Sequence, residues 1–122
     1  WNSECSHCKQ KIPELLEVWK DSLHLQYNVG VFSISTEIEK EHADEFIKEH
    51  NLAGNFTNAY DPTGRSNFRK LYDVNSTPVV IVLDKNKKII AKKVAIKDLT
   101  YVISTYVNFE KNKATLENSS SK

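Results

Sequence analysis

The sequence places its only two cysteines, Cys5 and Cys8, within the opening stretch WNSECSHC, separated by Ser6 and His7. Thiols at this spacing fit three chemistries: a redox dithiol, part of a metal site, or two small apolar core residues. A disulfide across so short a loop removes little chain entropy, so the pair is a poor staple and is better explained as chemistry. A thiol attacks a disulfide only as the thiolate. Cys5 stands at the expected start of a helix, where free backbone N–H groups and the helix dipole favour an anion. Cys8 falls about one turn further along the same face, close enough to form a disulfide. His7 lies between them and can offer Cys5 a hydrogen bond or a positive charge.

The competing chemistries have less to draw on. Glu4, Ser6, His7 and Lys9 flank the cysteines, a polar setting for two core residues. Structural zinc needs four ligands. Cys5, Cys8 and His7 supply three, and His24, His42 and His50 form no second knuckle. A thiolate and imidazole set also suits a soft ion such as Cu(I), which keeps a metal-holding module open as the alternative to an enzyme.

The elements that must position these residues follow from periodicity. Ser6 to about Leu25 reads as a helix with Ile12, Leu15, Leu16, Trp19 and Leu23 on one face, and Pro13 predicts a kink. Val29 to Ser35 is apolar and β-branched and reads as a buried strand. Helical spacing returns from Glu39 to Glu49 through Ala43, Phe46 and Ile47. Asn51 to Asp61 is irregular, with room for a short extended piece. DPTG, Asp61 to Gly64, is a turn signal, with a helix expected through Phe68, Leu71 and Tyr72. PVVIVLD and KIIAKKV read as antiparallel strands joined by a tight turn. A helix from Lys97 to Glu110 closes the domain, and residues 111–122 are expected to be a disordered polar tail. Phe32, Phe46, Phe68 and Tyr72 are expected in the core. The order predicts an α/β sandwich, one domain over residues 1–110.

Bulk composition agrees with one globular domain. The 122 residues are 39% hydrophobic and 27% charged, with 17 Lys and Arg against 16 Asp and Glu. A net charge of +1 with interspersed signs gives no footprint for nucleic acid. No apolar run approaches the roughly 18 residues of a membrane span. No Met occurs and no leader pattern is visible, so the sequence is expected to be a processed piece of a longer product.

W-x-x-x-C-x-x-C followed by K-x-K-I-P, then DPTG, then VNSTPVVIVLD and KII, resembles the thioredoxin-like family. The extracytoplasmic TlpA/ResA-like branch of bacterial thiol-disulfide oxidoreductases is the nearest in pattern. The resemblance runs to about Glu110 and implies a mixed sheet with flanking helices. It makes Cys5 the attacking thiol and Cys8 the resolving one. Thr77-Pro78 would be a cis-proline loop whose backbone an extended substrate can pair with, and Trp1 would join them on the substrate side. No cofactor is implied, because the dithiol itself carries two electrons. The implied partners are protein thiols and disulfides and a further redox protein, in an extracytoplasmic setting.

Three departures from the pattern carry expectations of their own. Glu4 replaces a common aromatic and is expected to oppose thiolate at Cys5, while Lys11 replaces a common glutamate and favours it. The central strand that normally precedes the dithiol helix has only Trp1 to Glu4 to form it and is expected to be missing. Val29 to Ser35 and Pro78 to Asp84 would then expose edges, to be completed by a second chain or some other segment, with poor stability in the isolated monomer.

Overall fold

The computed structural model describes residues 1–63 and 65–120, with the side chains of 117–120 left aside. The first helical run is α1 (Ser6–Val18), a π turn at Trp19–Leu23 and α2 (His24–Tyr27). Helix α1 continues through Pro13, which deprives the Lys9 carbonyl of its helical donor. The irregularity lies at the π turn, later than the kink the sequence predicts. Asn28 ends the run with φ 54°, a left-handed conformation that asparagine tolerates. The Trp19 indole N–H donates to the Val29 carbonyl at 2.7 Å, tying the end of this run to the chain that enters the sheet.

Strand β1 (Phe32–Ser35), helix α3 (Lys40–Glu49) and strand β2 (Thr57–Tyr60) form a parallel unit, with Phe32 opposite Thr57 and Ser35 opposite Tyr60. A parallel pair needs such a crossover to return the chain to the same end. After the short helix α4 (Phe68–Leu71), β3 (Ile81–Leu83) and β4 (Ile89–Lys92) form the expected antiparallel hairpin, with a register shift between Val82 and Leu83. The Asp84 carboxylate accepts the amides of Asn86 and Lys88 at 2.8 and 2.9 Å and shapes its turn. A 3-10 turn at Ile96–Asp98 leads into α5 (Leu99–Ser120). That helix runs past Glu110 into the stretch expected to be a tail, whose last two residues lie outside the described ones. So does Gly64 of the DPTG turn.

Mixed α/β content is as the sequence predicts, but the sheet is in two pieces, β1–β2 and β3–β4. Among the described residues no strand joins them. One backbone rung is present beside β1: the Trp1 nitrogen donates to the Ile34 carbonyl at 2.8 Å, and Thr36 N–H donates to the Trp1 carbonyl at 2.9 Å. Such bonding to both neighbours of Ser35 is that of a parallel ladder.

The core gathers Trp1 and, from the first helical run, Cys8, Ile12, Leu15, Leu16, Trp19 and Leu23, with Phe46, Leu52, Phe56, Ile96, Leu99 and Ile103. One expectation fails within β1. Its buried side chains are Ser33 and Ser35, whereas Phe32 is 81% exposed. Strand alternation forces this choice, since only one parity can face inward. The inward hydroxyls are satisfied: Ser33 donates to Asn58 Oδ1 at 2.6 Å, and Ser35 Oγ accepts the Glu37 amide at 3.3 Å.

Candidate active site

Cys5 occupies the N-cap of α1 with extended backbone, φ −76° and ψ 123°. Its carbonyl accepts the Lys9 amide at 3.0 Å, beginning the helix, and its own amide donates to the Asn2 carbonyl at 3.2 Å. The Asn2 side chain accepts the Glu4 amide at 2.8 Å, so residues 2–5 form a compact turn in front of the helix. This is the position at which helical N–H groups are free to meet an anion.

The two thiols are unalike. Both are free in this structure, Cys5 half-buried and Cys8 fully buried at 0% exposure. The Cys5 thiol is lowered from an ordinary value near 9 to about 7, chiefly by the Cys8 backbone N–H. Burial opposes the shift, while Thr77 and the His7 backbone N–H add to it. Cys8 moves the other way: burial pushes its thiol up, and the Asn2 amide, 3.4 Å from Cys8 Sγ, partly offsets this. A half-exposed, acidified thiol backed by a buried, less acidic one can attack a disulfide first and then be attacked in turn by its buried neighbour.

The opposite wall is the loop before β3. Cys5 Sγ lies 3.6 Å from the Thr77 carbonyl, a contact between residues 72 positions apart, and the Thr77–Pro78 peptide bond is cis. The dithiol and the Thr77-Pro78 pair, singled out from sequence, are therefore together. Trp1 is elsewhere. Expected on the substrate side, it is only 8% exposed and packs on Phe46 with ring centroids 5.0 Å apart, so it offers a substrate almost no surface.

The charges expected to tune Cys5 are spent on other partners. Glu4 Oε1 lies 3.2 Å from His42 Nδ1, and Glu39 Oε2 lies 3.3 Å from His42 Nε2. Lys11 pairs with Glu14 at 3.2 Å. The His7 side chain is exposed, and the influence of His7 on the Cys5 thiol comes through its backbone N–H, a smaller cause than that of Cys8. Backbone N–H groups, that of Cys8 first, lower the Cys5 thiol, with no flanking side-chain charge among the main causes. Among the described residues no group of three or more His, Cys, Asp or Glu side chains is arranged to hold a metal, and Cys5, His7 and Cys8 do not form one.

One site feature has no signal in the sequence. Glu37, within the run STEIEK, is 2% exposed, and its Oε1 accepts both the amide of Ser3, at 3.0 Å, and the Ser3 hydroxyl. It touches the loop in front of Cys5 from 34 positions away in the chain.

Comparison with known proteins agrees with this geometry. A family model described as thioredoxin-like matches residues 1–89. Among solved structures, a domain of a possible thiol-disulfide isomerase from Cytophaga hutchinsonii is 33% identical, with a TM-score of 0.74, over 94% of this chain and 74% of that one. The thioredoxin domain of a thiol-disulfide oxidoreductase from Bacteroides vulgatus is 22% identical, with a TM-score of 0.71, over 88% and 74%. A secreted disulfide oxidoreductase of Mycobacterium tuberculosis is 20% identical, with a TM-score of 0.66, over 86% and 76%. The last two share the fold. No curated protein matches.

Proposed function

The chain belongs to the thioredoxin-like family, and from that premise we propose that it is a thiol-disulfide oxidoreductase in which Cys5 attacks and Cys8 resolves. The observation that carries the division of roles is the contrast between a half-exposed, acidified Cys5 and a fully buried Cys8 one helical turn behind it. In the reducing direction, the Cys5 thiolate attacks one sulfur of a substrate disulfide. That bond breaks, its other sulfur leaves as a thiolate, and Cys5 is joined to the substrate. Cys8 then gives up its proton, which the departed substrate thiolate takes up, and attacks Cys5 Sγ. The Cys5–Cys8 disulfide forms and the second substrate thiol is released, so two electrons have passed from the dithiol to the substrate. The oxidising direction is the same sequence reversed.

Thr77 and Pro78 are the substrate-side wall in this reading. The Thr77 carbonyl stands beside Cys5 Sγ, where the backbone of an extended substrate can be aligned with the attacking sulfur. His7, exposed at the mouth, is placed to meet the partner protein. Protein thiols and disulfides are the substrate class, and an extracytoplasmic compartment, where such disulfides persist, is the setting. No helix is long and apolar enough to cross a membrane among the described residues.

The test is the pH dependence of alkylation at Cys5 in the reduced protein, measured in parallel in Cys8→Ser. A midpoint near 7 in the unaltered protein, moving upward in Cys8→Ser only modestly because the residue-8 amide is retained, supports the assignment. A midpoint at the free-thiol value of about 8.5 overturns it.

A further inference from the structure

Glu37 is a buried carboxylate that the exchange steps above do not use. Burying such a group costs free energy unless its oxygens are hydrogen-bonded. Oε1 is bonded twice by Ser3, through N–H and O–H, while Oε2 is buried without a hydrogen-bond partner among the described residues. The surrounding bonds run toward the dithiol. Ser35 Oγ accepts the Glu37 amide, and Thr36 N–H donates to the Trp1 carbonyl. Between them the turn after β1 grips residues 1–3 on both sides of Asn2. The Asn2 amide is thereby aimed at Cys8 Sγ, 3.4 Å away.

We propose that Glu37 is a positioning residue for the resolving step: by holding Ser3 it keeps the Asn2 N–H on the Cys8 sulfur. Its action is through two accepted hydrogen bonds, not through a proton it carries. That distinction has a chemical consequence. A glutamine at this position still offers a carbonyl oxygen to both Ser3 donors, whereas alanine offers none. The inference rests on the reading that Cys8 resolves the Cys5 mixed disulfide.

The experiment isolates that one step. Reduced protein is loaded at Cys5 from dithiobis(nitrobenzoate), whose disulfide breaks with loss of one thionitrobenzoate, and release of the second coloured thiolate from the Cys5 mixed disulfide is followed against pH. In this step the Cys8 thiolate attacks Cys5 Sγ, the bond from Cys5 to the probe sulfur breaks, and the probe leaves with the electron pair. In Glu37→Ala the pH midpoint for release is expected to rise, and release at pH 7 to slow about fivefold, the effect of losing one hydrogen bond to the sulfur. Glu37→Gln is expected to release within about twofold of the unaltered protein, because both acceptor contacts are kept. Ser3→Ala, which leaves the carboxylate and one donor in place, is expected to shift the midpoint the same way by less. It keeps the test alive if the alanine variant at 37 does not fold. A Glu37→Ala midpoint that stays put, a Glu37→Gln rate as slow as Glu37→Ala, or, should Glu37→Ala not fold, an unmoved Ser3→Ala midpoint overturns the proposal. Failure of the underlying reading looks different: Cys8→Ser would then release the probe as fast as the unaltered protein.

Discussion

The two walls of the dithiol are held in opposite ways. Behind Cys8, residues 1–3 are fastened by the Trp1 rung on β1, by the Trp1–Phe46 ring contact and by both Ser3 bonds to Glu37. In front of Cys5, the Thr77 carbonyl lies 3.6 Å from the sulfur, and its loop leads into a strand that, among the described residues, pairs on its β4 side. The difference separates two tasks. In the proposed exchange, a resolving Cys8 needs a fixed, dry position from which to attack one known sulfur. An attacking Cys5 needs an open wall against which varied partners can lie.

The sharpest way to break this contrast is to unfasten the tight wall. Phe46→Ala removes the ring that backs Trp1, and is expected to destabilise the protein by about 3–5 kcal/mol, measured by denaturant unfolding. In a Cys5→Ser background the same change should make Cys8 alkylate faster. Unaltered protection of Cys8 would mean that Trp1 does not shield it.

A smaller effect comes from the thiolate itself. Cys5 falls to about 7 in the fold from a value near 9, so between those pH values the unfolded chain binds more protons than the folded one. Stability of the reduced protein should therefore rise as pH goes from 7 to 9, and fall away below 7. The contribution of Cys8, raised by burial, has the opposite sign and is lost only at higher pH, above the ordinary thiol value. Urea midpoints across this range, compared with Cys5→Ser, check the sign; a flat difference would remove the thiolate stabilisation.

The smallest expected effect is at the exposed rim. His42→Ala deletes the contacts with Glu4 and Glu39, and exposed pairs of this kind contribute no more than about 1 kcal/mol. The Cys5 alkylation midpoint should move only slightly upward as the Glu4 carboxylate is released. A large movement would mean that side-chain charge, not backbone N–H, dominates at Cys5.

Much of the fold could be read locally. The long first helix, α3 and the β3–β4 hairpin lie where periodicity and turn residues put them, because side chains three or four apart, or two apart, share a face whatever surrounds them. Strand β1 could not be read this way. Its apolar run pointed to a buried Phe32, yet the inward parity belongs to Ser33 and Ser35, whose hydroxyls find Asn58 and the Glu37 amide. Which parity faces inward is decided by what lies across the sheet, and the run itself carries no mark of it. The same holds for Trp1, a motif residue expected beside the substrate and found packed on Phe46.

At the site, the sequence alone determined the pair of sulfurs, their one-turn separation and their place at a helix start. Those are consequences of chain spacing and helix geometry, settled within eight residues. Only the tertiary structure decided that the two thiols differ. Cys8 is buried by the core that closes over it, Cys5 faces the Thr77 carbonyl across 72 positions, and Glu37 grips the loop from 34 positions away. Burial and hydrogen bonding at a sulfur depend on which distant segments pack there, and that is a property of the folded chain rather than of any stretch of it.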